Sequence, residues 1–158
     1  MPVEARAEQQ WLRRMVGEWT YELVAEAEPG QPPIRDTGAE SVRALGDSWV
    51  MCEARGTPDG GEATSIMSIG YDPHRERFQG TFLSSMMTYL WIYDGALDAT
   101  GDVLTLDTEG PGYTGEGKMR YRDTIAFQGD DHRVQTSRYQ RPDGSWHPFM
   151  TTHYRRTR

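Results

Sequence analysis

The sequence predicts an all-β fold, an antiparallel up-and-down β-barrel of about ten strands with a short N-terminal helix at one end. Three observations predict it. From residue 18 onward, short alternating segments recur roughly every 10–12 residues, separated by turn residues. Gly17-Glu18-Trp19 opens the first of these segments, and Tyr154-Arg155-Arg156 ends the last. Hydrophobic residues make up 36 % of the chain, which suits a wall lined on one side better than a multilayer core. A tryptophan on the first strand and an arginine on the last suit the sealed end of a closed barrel. The ring plugs the floor and a guanidinium stacks on it, an interaction worth about 0.5–2 kcal/mol.

The elements follow in order. The helix is predicted over about 5–16, with Ala7, Trp11, Leu12, Met15 and Val16 on one face and Glu4 and Glu8 near its positive end. Gly17 stops it. In the first strand Trp19, Tyr21, Leu23 and Ala25 alternate with Thr20, Glu22, Val24 and Glu26, until Glu28-Pro29-Gly30-Gln31-Pro32-Pro33 breaks the pattern. Further strands are predicted at about 35–45, 49–57, 62–71, 77–84 and 86–97. Val103–Thr108, Lys118–Phe127, Arg133–Gln140 and Trp146–Arg156 complete the set, with a glycine-rich loop at Gly110–Gly117. The breakers carry turn chemistry, because Pro presets φ while Gly and Asp tolerate positive φ. The chain of 158 residues is expected to form one domain, its barrel spanning about 18–157. Closure is preferred over a sandwich because the connections are tight and a barrel has no edges.

Charge narrows the partners. The net charge of −7 argues against a nucleic-acid binder, which needs a basic face. Residues 1–117 carry 8 basic and 20 acidic side chains, whereas 118–158 carry 9 basic and 4 acidic. Sheet closure accounts for this by setting the basic last strand beside the acidic first, with Glu22, Glu26 and Glu28 facing it; an anion site on the last strands is the alternative. The single Cys52 allows no disulfide within the chain and fits a reducing compartment. No apolar signal core follows Met1, and no run approaches the ~18 apolar residues of a membrane helix. A cytoplasmic protein with no membrane partner is expected.

Asp123 is the sharpest anomaly. Met119, Tyr121, Ile125 and Phe127 share its strand face and mark that face as inward, so a carboxylate lies among apolar groups. It must be paired or protonated. Arg138, Arg156 or Tyr hydroxyls are the structural partners; a ligand is the functional one. Met67 and Met87 are candidate lining residues beside Tyr121 and Tyr154, since methionine fills gaps and lines adaptable surfaces. Segment 86–97 is apolar on both faces, with Met87, Tyr89, Trp91 and Tyr93 against Thr88, Leu90 and Ile92. One stripe fills the barrel, and the other calls for cover by the N-terminal helix or by a second subunit, with a homodimer preferred. The four histidines show no ligand spacing, so no metal is expected. Ser65, Ser84 and Ser85 have no neighbouring histidine for nucleophilic catalysis.

Several stretches together carry a resemblance: Gly17-Glu18-Trp19, Gly70-Tyr71-Asp72-Pro73, Arg77-Phe78-Gln79-Gly80-Thr81, Ser85-Met86-Met87-Thr88, Tyr121-Arg122-Asp123 and Tyr154-Arg155-Arg156. In order and spacing the chain resembles a bacterial family, the domain of unknown function 1579, within the calycin superfamily of lipocalins, fatty-acid-binding proteins and nitrobindin-like barrels. The resemblance implies a lipocalin-like barrel, with Gly17, Trp19 and Arg156 as structural residues, and carries no assigned activity. Nitrobindin-like barrels use a histidine near the last strand as a haem ligand, which would make His153 the candidate. Parity places His153 with Phe149, Thr151 and Arg155, away from Met150, Thr152, Tyr154 and Arg156, and a haem-side glycine motif is missing at Thr20-Tyr21-Glu22. No cofactor is therefore expected. Three functions stay open: a module binding a small, largely apolar or aromatic ligand with Asp123 as polar anchor; an enzyme using Asp123 or Glu109 as general acid/base; and an interaction protein working through an outward aromatic surface.

Overall fold

Ten antiparallel strands close on themselves in the computed structural model, which describes residues 6–112 and 117–158. A helix α1 (Ala7–Arg13) leads into β1 (Gly17–Ala25), β2 (Ile34–Leu45), β3 (Trp49–Gly56), β4 (Ala63–Asp72) and β5 (Arg77–Ser84). The second half is β6 (Trp91–Leu97), β7 (Val103–Pro111), β8 (Lys118–Phe127), β9 (His132–Gln140) and β10 (Trp146–Arg156). Each strand pairs with its sequence neighbours, and β1 pairs with β10 to close the ring.

The helix is shorter than its apolar pattern. Regular α-helix ends at Arg13, and Met15 and Val16 continue through a tightened turn whose amides reach back three residues, to Leu12 and Arg13. The expected beginning at residue 5 lies outside the described residues. Trp11, Leu12 and Met15 are buried against the end of the barrel. The Trp11 ring meets Phe78 and Phe127 edge-on, at 6.4 and 5.4 Å, and its Nε1 donates to the Asp102 carbonyl at 3.2 Å.

Trp19 lies behind that plug at 1 % exposure, its Nε1 donating to the Met15 carbonyl at 2.9 Å. Arg156 faces it across the β1–β10 ladder, with its guanidinium 4.2 Å from the ring centroid. The same guanidinium donates to the carbonyls of Arg14 at 2.6 Å and Val16 at 2.7 Å, which the end of a helix leaves without internal partners. Gly17 has φ of +145°, and a Cβ there would strike Arg156 Nη1 and the Arg158 carbonyl. The close approach of the guanidinium to the backbone therefore needs glycine.

Arg133 completes the floor. It is 1 % exposed, ion-paired to Glu40, which is also buried, and lies 3.8 Å from the Tyr154 ring and 4.7 Å from Trp19. Burial pushes its guanidinium down to about 10, still charged at neutral pH. Above the floor the interior is filled by Val50, Ile69, Phe78, Leu104, Leu106 and Ile125.

The segment 86–97 departs from its predicted form. Pairing of β5 with β6 begins at Phe82↔Trp91, so residues 85–90 form the hairpin connection and are not strand. Trp91 and Tyr93 turn inward, while Leu90 and Ile92 are exposed on the outer side with Leu83 and Met86. The helix does not cover this face; it packs at the other end against β3 and β4. The acidic and basic ends of the sheet meet as closure requires: Glu22 stands opposite His153, and Glu26 binds His147 at 2.8 Å. Glu28 lies beyond β1, in the turn.

Candidate functional site

A cavity of about 410 Å³ enters the barrel at the end opposite the helix, with Met87, Pro111 and Gly112 among the described residues at its rim. Phe82, Met87, Trp91, Tyr121 and Phe149 provide its apolar and aromatic wall, and Asp123 and Ser137 its inner polar end. The volume lies within the usual range for small-molecule sites.

Local sequence explains these positions. On β8 the buried residues are Tyr121, Asp123 and Ile125, alternating with more exposed neighbours. On β9 the same parity turns Arg133 and Ser137 inward and leaves Arg138 on the outer wall. On β10 a register shift between Pro148 and Met150 interrupts the alternation, so both Phe149 and Met150 reach the cavity. Trp91 rests on Gly110, where a Cβ would strike the indole. The Trp91 and Tyr121 rings meet edge-on at 5.1 Å, and Tyr121 meets Phe149 at 6.0 Å. The Tyr121 hydroxyl donates to the Pro111 carbonyl at 2.5 Å, which ties β8 to the rim. Residues 113–116 of the expected glycine-rich loop lie outside the described residues.

The carboxylate at the bottom has partners other than the arginines considered from sequence. Tyr93 donates to Asp123 Oδ2 at 2.8 Å, and Ser137 supplies a second hydrogen bond. Arg138 sits across the wall and donates to Thr124 Oγ1 at 3.0 Å, while Arg156 belongs to the floor. Burial dominates the electrostatics: it raises the Asp123 carboxyl above the ordinary carboxylate range, against the two hydrogen bonds and the charge of Arg138. Burial and the neighbouring carboxylate push the Tyr93 hydroxyl well up, so Tyr93 stays protonated and donates. The Thr108 hydroxyl, also on the cavity wall, is buried with no hydrogen-bond partner among the described residues.

A family model described as a protein of unknown function (DUF1579) matches residues 4–156. The chain belongs to the DUF1579 family. No curated protein matches it. Among solved structures it is similar to Rv2717c from M. tuberculosis, at 14 % identity and TM-score 0.67, with 98 % of this chain and 100 % of that one covered. It is also similar to the S-type phycobiliprotein lyase CPES from Guillardia theta, at 14 % identity and TM-score 0.62 with 99 % of each covered. A third, EF1p2_mFAP2b bound to DFHBI, shares 12 % identity at TM-score 0.52, with 95 % of this chain and 99 % of that one covered. At these identities the likeness concerns the fold, a lipocalin-like closed barrel.

Within this DUF1579 barrel, Asp123, Tyr121 and Met87 come together at the cavity. Met67 and Tyr154 point inward but belong to the packed interior. Met67 pairs across to Cys52 and Phe82, and the Tyr154 ring is covered by Arg133. Glu109 is on the outer wall beside Arg120, away from the cavity. His153 is exposed on the outer face, its Nδ1 2.9 Å from His132 Nε2. Cys52 is buried and its thiol is pushed up to about 12, which leaves it unreactive. Among the described residues, no group of three or more His, Cys, Asp and Glu could hold a metal, and no helix is long and apolar enough to cross a membrane. A larger concavity of about 750 Å³ runs along the Glu28–Pro33 turn on the rim, and among the described residues it holds no buried polar group.

The raised Asp123 carboxyl has a consequence for stability. The folded state holds its proton more tightly than the unfolded chain, whose Asp titrates near ~3.9. Above ~3.9 the unfolded state loses the proton first, so folding is progressively penalised until the folded-state carboxyl has ionised too. Asp123→Asn is therefore expected to gain in stability relative to wild type as pH rises from 4 through that window. Urea unfolding of both proteins across pH 4–8 measures this; a difference independent of pH would show that the carboxyl is not perturbed by burial.

Proposed function

We propose that this protein binds a small, largely apolar or aromatic molecule in the mouth of its barrel. One observation carries the reading: a cavity of about 410 Å³ whose wall is aromatic and methionine-rich and whose inner end holds the hydrogen-bonded Asp123. Apolar walls with a few placed polar groups are the usual make-up of a small-molecule site. The barrel of similar fold bound to DFHBI lends support by analogy of architecture. Asp123 is the polar anchor, with Tyr93 and Ser137 fixing its orientation and Trp91, Tyr121 and Phe149 contacting the body of the ligand.

A second reading, general acid/base catalysis on the same molecule, is favoured by the Tyr93–Asp123 hydrogen bond and the raised carboxyl, a pairing suited to holding or moving a proton. It uses Asp123 alone of the two carboxylates considered, since Glu109 lies outside the barrel.

Native mass spectrometry of protein purified from its own host is expected to reveal a co-purified small molecule. Met150→Trp, which fills the cavity from β10, is expected to abolish retention while the barrel stays folded. A molecule retained equally by that variant would place the site elsewhere.

A further inference from the structure

The charge distribution of the cavity goes further than its shape. Asp123 is the sole charged side chain among the described residues on its wall. The polar groups beside it, Ser137, Tyr93 and Thr108, are neutral. The cationic group that acts on it, Arg138, lies outside the wall and is engaged with Thr124. Asp123 is 7 % exposed, and its two protein hydrogen bonds leave lone-pair capacity on the carboxylate. Trp91, Tyr121 and Phe149 line the same cavity and meet one another edge-on. A buried carboxylate in an aromatic-walled cavity offers a cation two kinds of partner, direct charge pairing and the negative faces of aromatic rings.

We infer that the ligand of this cavity is an organic cation, a protonated or quaternary amine carried on an apolar body, with its nitrogen at Asp123 and its body against Trp91, Tyr121 and Phe149. The inference rests on the binding reading above and adds the charge of the ligand to it. An anionic ligand would meet the carboxylate with no basic side chain among the described wall residues to offset it. A neutral one would leave the desolvated carboxylate to take up a proton. A cation instead restores the charged form and offsets its loss of water.

Two probes of matched shape test this: 1-naphthylmethylamine, a cation at neutral pH, and the neutral 1-naphthylmethanol. In calorimetric titrations at pH 8 the amine is expected to bind wild type at least tenfold more tightly than the alcohol. In Asp123→Asn, checked for folding by near-ultraviolet circular dichroism, that preference is expected to vanish while the affinity for the alcohol is kept. A second arm needs no variant. The amine competes with a proton for Asp123, so its affinity is expected to fall as pH is lowered, approaching tenfold per unit below the Asp123 pKa, while that of the alcohol holds or rises. The other ionisable groups acting there are Tyr93 from β6, Tyr154 from β10 and Arg138 from β9. Both tyrosines are pushed upward, so neither titrates in this range. Equal affinities in wild type, or a preference that survives in the folded Asn variant, overturn the charge assignment. Binding of the alcohol without preference leaves the cavity reading standing, whereas failure of both probes to bind removes both proposals.

Discussion

Trp19→Ala is expected to cost about 3–5 kcal/mol of stability, the range for truncating a large buried aromatic. The side chain is 1 % exposed, and deletion leaves a cavity that the rigid β1–β10 ladder is poorly able to close. Three further losses follow. The Met15 carbonyl loses the indole donor that holds the end of the helix to the floor. Arg156 and Arg133 both lose the ring they pack on, at 4.2 and 4.7 Å. Urea unfolding followed by far-ultraviolet circular dichroism gives the number, and a midpoint close to wild type would refute the floor as described.

Glu40→Ala is expected to cost a similar amount, about 3–5 kcal/mol, because it strands the buried Arg133 charge. Desolvating a guanidinium is tolerable here because a carboxylate lies against it and the Tyr154 ring lies 3.8 Å from it. Taking away both charges is another matter. The double variant Glu40→Met, Arg133→Met is expected to recover most of the loss, since a well-packed apolar pair often replaces a buried ion pair with little penalty. Recovery identifies the stranded charge as the cause; a double variant as unstable as Glu40→Ala would instead assign the loss to packing volume. Trp19 and Glu40 share Arg133 as a neighbour, so their two effects should not add.

The fold was legible because turn chemistry and period-two alternation agree along nearly the whole chain. The place where they misled is 86–90. Met86-Met87-Thr88-Tyr89-Leu90 is rich in β-formers, yet β5 stops at Ser84 and cross-strand pairing resumes at Phe82↔Trp91. Hairpin register, a two-strand property, decided what one segment's composition left open.

The candidate site was legible in part. Asp123 could be placed inward because Tyr121 and Ile125 fix the parity of β8. Strand β9 carries few large apolar side chains to mark its inner face, so Arg133 and Ser137 gave no signal, and Arg138 seemed an equal candidate partner. Carrying the parity of β8 across the ladder, through Asp123↔Ser137 and Phe127↔Arg133, turns both inward. Phe149 was hidden for a different reason: an irregular register after Pro148 breaks the alternation on which the counting depends.

The Arg156 contacts join residues 140 and 142 positions apart in the chain, so the end of α1 and the end of β10 meet in one knot of hydrogen bonds. Contacts of such long sequence separation form late and at high loop-closure entropy. Nine hairpin pairings can zip from neighbour to neighbour, but the tenth, β1 with β10, waits for nearly the entire chain. Sealing the floor is thereby expected to be the closing event of folding. Until it occurs, β1 and β10 are open edges able to pair with another copy. Arg156, which binds the helix end and the Trp19 ring at once, acts as the latch whose fastening ends that exposure.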